Sequence, residues 1–184
     1  MVDNLENRLI ERSRDKDSAA FGELVKLYRK PLFSYLIKMC GDRFSAEDLF
    51  QETLIKVWHG IGKYDERQKF SSWLFSIAHN CAIDFLRKRK LAMNTFEELN
   101  EDTAVAKDLH DTVVTKELKE KLDKAVSKLP EKQRQVFLLR QFGEFSFKEI
   151  AKLTDEPLNT VLSHMHYAIK KIKDVMRSEY ATEK

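Results

Sequence analysis

Glycine and proline are scarce, 5 and 3 in 184 residues. So few turn formers cannot punctuate the hairpins of a sandwich or barrel, and the chain reads as long helices joined by short connections. Cysteine is scarcer still. Cys40 and Cys81 stand singly in helical patterns, with no Cys-x-x-Cys and no regular histidine spacing, so buried free thiols are expected rather than a disulfide framework or a zinc site. No apolar run approaches the roughly 20 residues of a bilayer span, and Met1-Val2-Asp3-Asn4-Leu5-Glu6 lacks the basic-then-apolar order of a signal peptide. A cytoplasmic protein without membrane insertion is expected. A glycine-rich phosphate loop is also missing, the acids are scattered, and His164 and His166, two apart on a helix, do not face one metal. These absences argue against an enzyme, a metal site or a cofactor.

What the chain does have is charge, unevenly placed. The net +3 divides into residues 1–93 (17 basic, 13 acidic), 94–115 (1 basic, 6 acidic) and 116–184 (15 basic, 11 acidic). Two mildly basic blocks flank an acidic stretch that loses helical periodicity at Asn94-Thr95. The organisation expected is all-α: a helical domain over 1–93, a flexible acidic linker over 94–115, and a second small domain over 116–184.

In the first block, Phe21, Leu24, Val25, Tyr28, Leu32, Tyr35, Leu36 and Met39 keep near-helical spacing, with a kink or boundary expected at Pro31 and a stop at Gly41. Ser45 is placed to open the next helix. Its apolar face is Leu49, Phe50, Thr53, Leu54, Val57 and Trp58, and the opposite face collects Asp48, Gln51, Glu52, Ile55 and His59. Such a stripe is either solvated surface or a partner surface. A polar connection, Gly62 to Lys69, leads to a third amphipathic pattern with Phe70, Trp73, Leu74, Ile77, Ala78, Cys81 and Phe85 inward and Ser76, Asn80, Ile83, Asp84 and Arg87 outward. That helix is read as ending in Arg87-Lys88-Arg89-Lys90, four cations that suit either a helix C-terminus or phosphates.

In the last block, Leu118, Leu122, Ala125, Val126 and Leu129 spell one helix, and Pro130 is placed to begin another. Ser146-Phe147-Lys148-Glu149 is a capping box opening a short helix through Ile150, Ala151 and Leu153; Thr154 to Pro157 form a tight turn; a long helix starts near Leu158. This is a helix-turn-helix pattern. Val161, Met165, Ala168, Ile172 and Met176 form its packed stripe, while Asn159, Thr160, Ser163, His166, Tyr167 and Lys170 point away, as side chains entering a major groove would.

The run Ala46-Glu47-Asp48-Leu49-Phe50-Gln51-Glu52-Thr53, then Val57-Trp58, Phe70 to Asn80 and Asp84 to Arg89, resembles the conserved helical domain of extracytoplasmic-function sigma factors, group 4 of the sigma-70 family. Leu129 to Arg134, Phe145 to Ala151 and Pro157 to Ser163 are similar to that family's promoter-binding C-terminal domain. The resemblance implies a sigma factor, which joins core RNA polymerase and directs recognition and melting of −10 and −35 elements. By it, Asp48, Gln51, Glu52 and Ile55 bind the clamp helices of the polymerase's largest subunit. The loop with Lys63, Arg67 and Lys69, together with Asn80, takes a flipped −10 base, and Arg87, Lys88, Arg89 and Lys90 hold phosphates. The helix-turn-helix reads −35 duplex and sits on the flap of the second subunit; an anti-sigma factor is a further partner found in the family. Relatives place basic residues where this chain has Leu162, His164 and Tyr167, so Arg140, Lys148, Lys170 and Lys171 are the candidates for backbone contacts. Two rivals stay open. A helix-turn-helix regulator that does not join polymerase leaves the Asp48 stripe without work, and a helical adaptor leaves the Ser163 face unused.

Overall fold

The structure is a computed structural model that describes the backbone of residues 2–95 and 113–181 and the side chains of 5–93 and 118–177. It is all-α among the described residues. The helices are α1 (Val2–Arg14), α2 (Ser18–Cys40), α3 (Arg43–Gly60), α4 (Phe70–Thr95), α5 (Val113–Ser127), α6 (Glu131–Phe142), α7 (Phe147–Thr154) and α8 (Leu158–Ala181), with one 3₁₀ turn, Ile61–Lys63, after α3. They fall into two compact units, residues 1–36 with 44–98, and 37–43 with 99–184. Of the acidic stretch 94–115, residues 96–112 lie outside the described residues, while Asn94 and Thr95 close α4 and Val113 to Thr115 open α5.

In the first unit α2 begins where Asp17 accepts from the amides of Ala19 and Ala20, both at 3.0 Å, satisfying donors that a helix start leaves unpaired. Those amides, Ala20's foremost, and the Arg12 side chain hold the Asp17 carboxyl below its usual range. Of the kink or boundary expected at Pro31, the boundary does not form. Proline removes one amide from the ladder, yet α2 runs on through it to Cys40, because burial of Leu32, Tyr35 and Leu36 immediately beyond outweighs one lost backbone bond. Gly41, at φ 88°, stops the helix, its amide bonding the carbonyl of Ile37 at 2.8 Å. α3 then starts at Arg43, two residues before Ser45.

The core of this unit is built by Leu24, Leu32, Tyr35 and Leu36 of α2, Ala46, Leu49, Thr53 and Val57 of α3, and Phe70, Leu74, Phe75, Ala78 and Cys81 of α4. A polar pair lies inside it: the Tyr35 hydroxyl and His79 Nδ1 are 2.9 Å apart, both side chains buried. Burial pushes the Tyr35 phenol far above its usual range, keeping it a neutral hydrogen-bonding group. α3 closes tightly onto α4, since a Cβ at Gly60 would stand 3.3 Å from the Trp73 ring.

The second unit packs α5, α6 and α7 against α8. Ala125, Val126, Leu129, Val136, Leu138, Leu139, Phe145, Ile150, Val161, Met165 and Ala168 are its interior. Pro130 is the N-cap of α6, with an extended ψ of 146°, and the helix itself begins at Glu131. The capping box of α7 forms as the sequence spells it: the Glu149 amide donates to Ser146 Oγ at 3.3 Å, and the Ser146 amide to Glu149 Oε2 at 2.6 Å. Asp155 takes a left-handed conformation, φ 53°, and turns the chain into α8. On α5, Leu118 and Leu122 stand 48% and 37% exposed, and full burial begins at Ala125. Cys40 and Cys81 are buried free thiols.

Candidate partner and nucleic-acid interfaces

On α3 the inward face is consumed by the core, and Asp48, Gln51 and Glu52 lie exposed on the other side. Ile55 stands among them at 59% exposure. Glu52 pairs with Lys56 one turn on at 2.7 Å, and Lys56 Nζ also approaches Cys81 Sγ at 3.3 Å, which ties this edge of α3 to α4. The hydrogen bond it donates to the Glu52 carboxylate holds the Lys56 ammonium above its usual range. Sequence reasoning missed Phe44. It is 78% exposed in the first turn of α3, outside a helix that the sequence pattern opens at Ser45.

The loop between α3 and α4 is held by its aromatic side chain. Tyr64 is buried beside Phe70 and Trp73, with ring centroids 5.4 and 5.2 Å away, and its hydroxyl donates to the carbonyl of Gln68 at 2.6 Å. Arg14 from α1 lies 5.6 Å from the Tyr64 ring and pairs with Glu66. Lys63, Arg67 and Lys69 all point to solvent. Arg67 folds back onto Asp65 at 2.6 Å, and that bond draws the Asp65 carboxyl down to about 2.

Asn80, Asp84 and Arg87 form one exposed stripe along α4, with Arg87 bonded to Asp84 at 3.0 Å. Lys88 and Lys90 are exposed; Arg89 is half-buried, 5.7 Å from the Phe85 ring. The expectation that α4 ends in this run is corrected, since the helix continues to Thr95 and no basic residue lies in its last turn. The macrodipole acts only within the last turn, so it does not account for the four cations.

In the second unit Asn159, Ser163, His166, Tyr167, Lys170 and Lys171 are exposed on α8, with the His166 and Tyr167 rings 5.5 Å apart. Ser163 Oγ donates back to the carbonyl of Asn159 at 2.8 Å, leaving its oxygen lone pairs to accept. Thr160 and His164 are half-buried instead. His164 Nε2 lies 3.7 Å from Glu156, whose other carboxylate oxygen takes Lys132 at 3.1 Å. Arg140 donates to the carbonyl of Phe145 at 2.7 Å and lies 5.4 Å from the Phe147 ring, while Lys148 is free to reach solvent. Among the described residues no cluster of His, Cys, Asp or Glu could hold a metal, and no helix is long and apolar enough to cross a membrane.

These surfaces define a helix-turn-helix protein with a second helical unit that carries an acidic, part-apolar face and a basic one. Residues 24–91 match sigma-70 region 2 and residues 119–172 match sigma-70 region 4. The chain is 30% identical over 154 residues to the ECF RNA polymerase sigma factor SigM of Bacillus subtilis strain 168, covering 80% of this chain and 91% of that protein. SigW of the same organism is 28% identical over 180 residues, covering 91% and 95%. In fold it is similar to the sigma factor RpoE of Bartonella quintana, solved in complex with the anti-sigma factor NepR, with a TM-score of 0.71 at 22% identity over 85% of this chain and 96% of that one. The chain belongs to the extracytoplasmic-function sigma factors of the sigma-70 family. It therefore works in transcription initiation with core RNA polymerase at promoter elements, rather than as a free-standing regulator or adaptor.

Proposed function

We propose that the outward face of α3 docks on the clamp helices of the largest polymerase subunit through Asp48, Gln51, Glu52 and Ile55. The observation that carries this is Ile55, an apolar side chain 59% exposed amid acidic and amide groups on a helix whose other face already fills the core. A small apolar centre with a polar rim is the anatomy of a protein interface. Lys63, Arg67, Lys69 and Asn80 take an unstacked −10 base, and Arg87 to Lys90 track the phosphates of the same strand. The α7–α8 pair reads −35 duplex: Asn159, Ser163 and His166 meet base edges, Arg140, Lys148, Lys170 and Lys171 the backbone, with Thr160, His164 and Tyr167 at the margins. The second unit also rests on the flap of the second subunit. By analogy with the RpoE–NepR complex, an anti-sigma factor restrains the chain by covering these surfaces.

Asp48→Arg combined with Gln51→Ala tests the reading. Both side chains are exposed, so circular dichroism should stay native while affinity for purified core polymerase falls at least about tenfold, a loss of about 1.4 kcal/mol. Native spectra with undiminished pull-down would remove the clamp assignment.

A further inference from the structure

Two apolar side chains on α8 have no place in the interior. Leu162 and Ile169 are each 41% exposed, whereas Val161, Met165 and Ala168 complete the buried seam without them. Leu162 is in the second turn, in the half of a recognition helix that enters the groove. Its neighbours along the surface are Asn159, three residues before, and His166, four after, both exposed.

A leucine here has nothing to offer a phosphate or a ring nitrogen. The major groove displays one apolar group, the 5-methyl of thymine. Asn159 beside it carries the amide that pairs with adenine N6 and N7, so adjacent side chains are matched to the two halves of A·T pairs. We propose that Leu162 reads a thymine methyl group in the −35 element and is a base-discriminating residue of α8. The inference rests on the reading of α7 and α8 as the −35 binder.

The test uses the full chain assembled with core polymerase and a promoter duplex selected by that holoenzyme from a library randomised at −35. Each thymine in either strand is replaced singly by deoxyuridine, which pairs alike and lacks only the methyl. Wild type should lose affinity about fourfold at one or two positions, the worth of one buried methyl. Leu162→Ala should bind the thymine and deoxyuridine duplexes equally there, keep any sensitivity elsewhere, and melt at the wild-type temperature; Leu162→Met should retain the discrimination. If wild type selects a −35 sequence but no deoxyuridine weakens it, or Leu162→Ala keeps the wild-type pattern, Leu162 is not the methyl reader although the −35 assignment stands. If the holoenzyme selects no −35 sequence at all, that assignment falls and this inference with it.

Discussion

Arg67 holds Asp65 through Nε and Nη2 in the loop proposed to take the −10 base, which leaves its Nη1 donors turned to solvent. The Arg67 side chain and amide hold the Asp65 carboxyl at about 2 against an ordinary 3.8. A depressed carboxyl supports the fold fully above its unfolded value and loses that support as pH falls through its folded one, here between about pH 4 and 2. Asp65 is thus ionised across the physiological range, and an NMR titration of its side chain should place the midpoint near 2, moving towards 3.8 in Arg67→Ala. The buried Tyr35–His79 pair works differently. Tyr35→Phe removes a hydrogen bond inside the first unit and should lower stability by about 1–2 kcal/mol in urea unfolding. Ser146→Ala, which dissolves the α7 capping box, should lower it by about 1 kcal/mol. Of these three features only the capping box was legible in the sequence, because its partners are three residues apart. His79 pairs across 44 residues, and a periodicity reading has no weight for a polar side chain on the apolar face.

Among the elements, the helix-turn-helix was legible almost to the residue: a cap, a small apolar run, a tight turn and a long periodic stripe all point one way. α2 and α4 both run past the points where local signals allow a helix to end, for a shared reason. Local signals such as Pro31 and the Arg87–Lys90 run speak for ending a helix, and tertiary burial or continued i, i+4 bonding carries it further. α8 departs from a charge-dominated reader. Its outward arc over the first four turns has one fixed cation, Lys170, with Lys171 beside it. Lys170→Ala should weaken holoenzyme binding to all −35 sequences alike and lower the salt slope by about one, whereas Ser163→Ala should cost about 1–3 kcal/mol at particular base pairs only. Competition binding at several salt concentrations separates the two, and a uniform loss for Ser163→Ala would remove it from base reading.

For the whole molecule, two units with separate surfaces imply separate steps. Asn80→Ala should impair open-complex formation while leaving closed-complex binding near wild type, since an unstacked base exists only once strands part. Permanganate footprinting on duplex and pre-melted promoters distinguishes these, and an equal defect on both would place Asn80 elsewhere in the pathway. The interhelical turn of the second unit bears on the proposed −35 contact. Glu156 pairs with Lys132 from α6 at 3.1 Å and lies 3.7 Å from His164 of α8, so the turn is tied to α6 in the free protein. The conformational freedom of such a segment, about 1–2 kcal/mol per residue at 25 °C, is surrendered when the chain folds and not when DNA arrives. In the proposed −35 role, the α7–α8 pair would consequently meet its target as a finished shape. Duplex association should carry little ordering entropy of the turn, and loosening it with Glu156→Gln should shift the calorimetric balance toward a larger entropic penalty at nearly unchanged enthalpy.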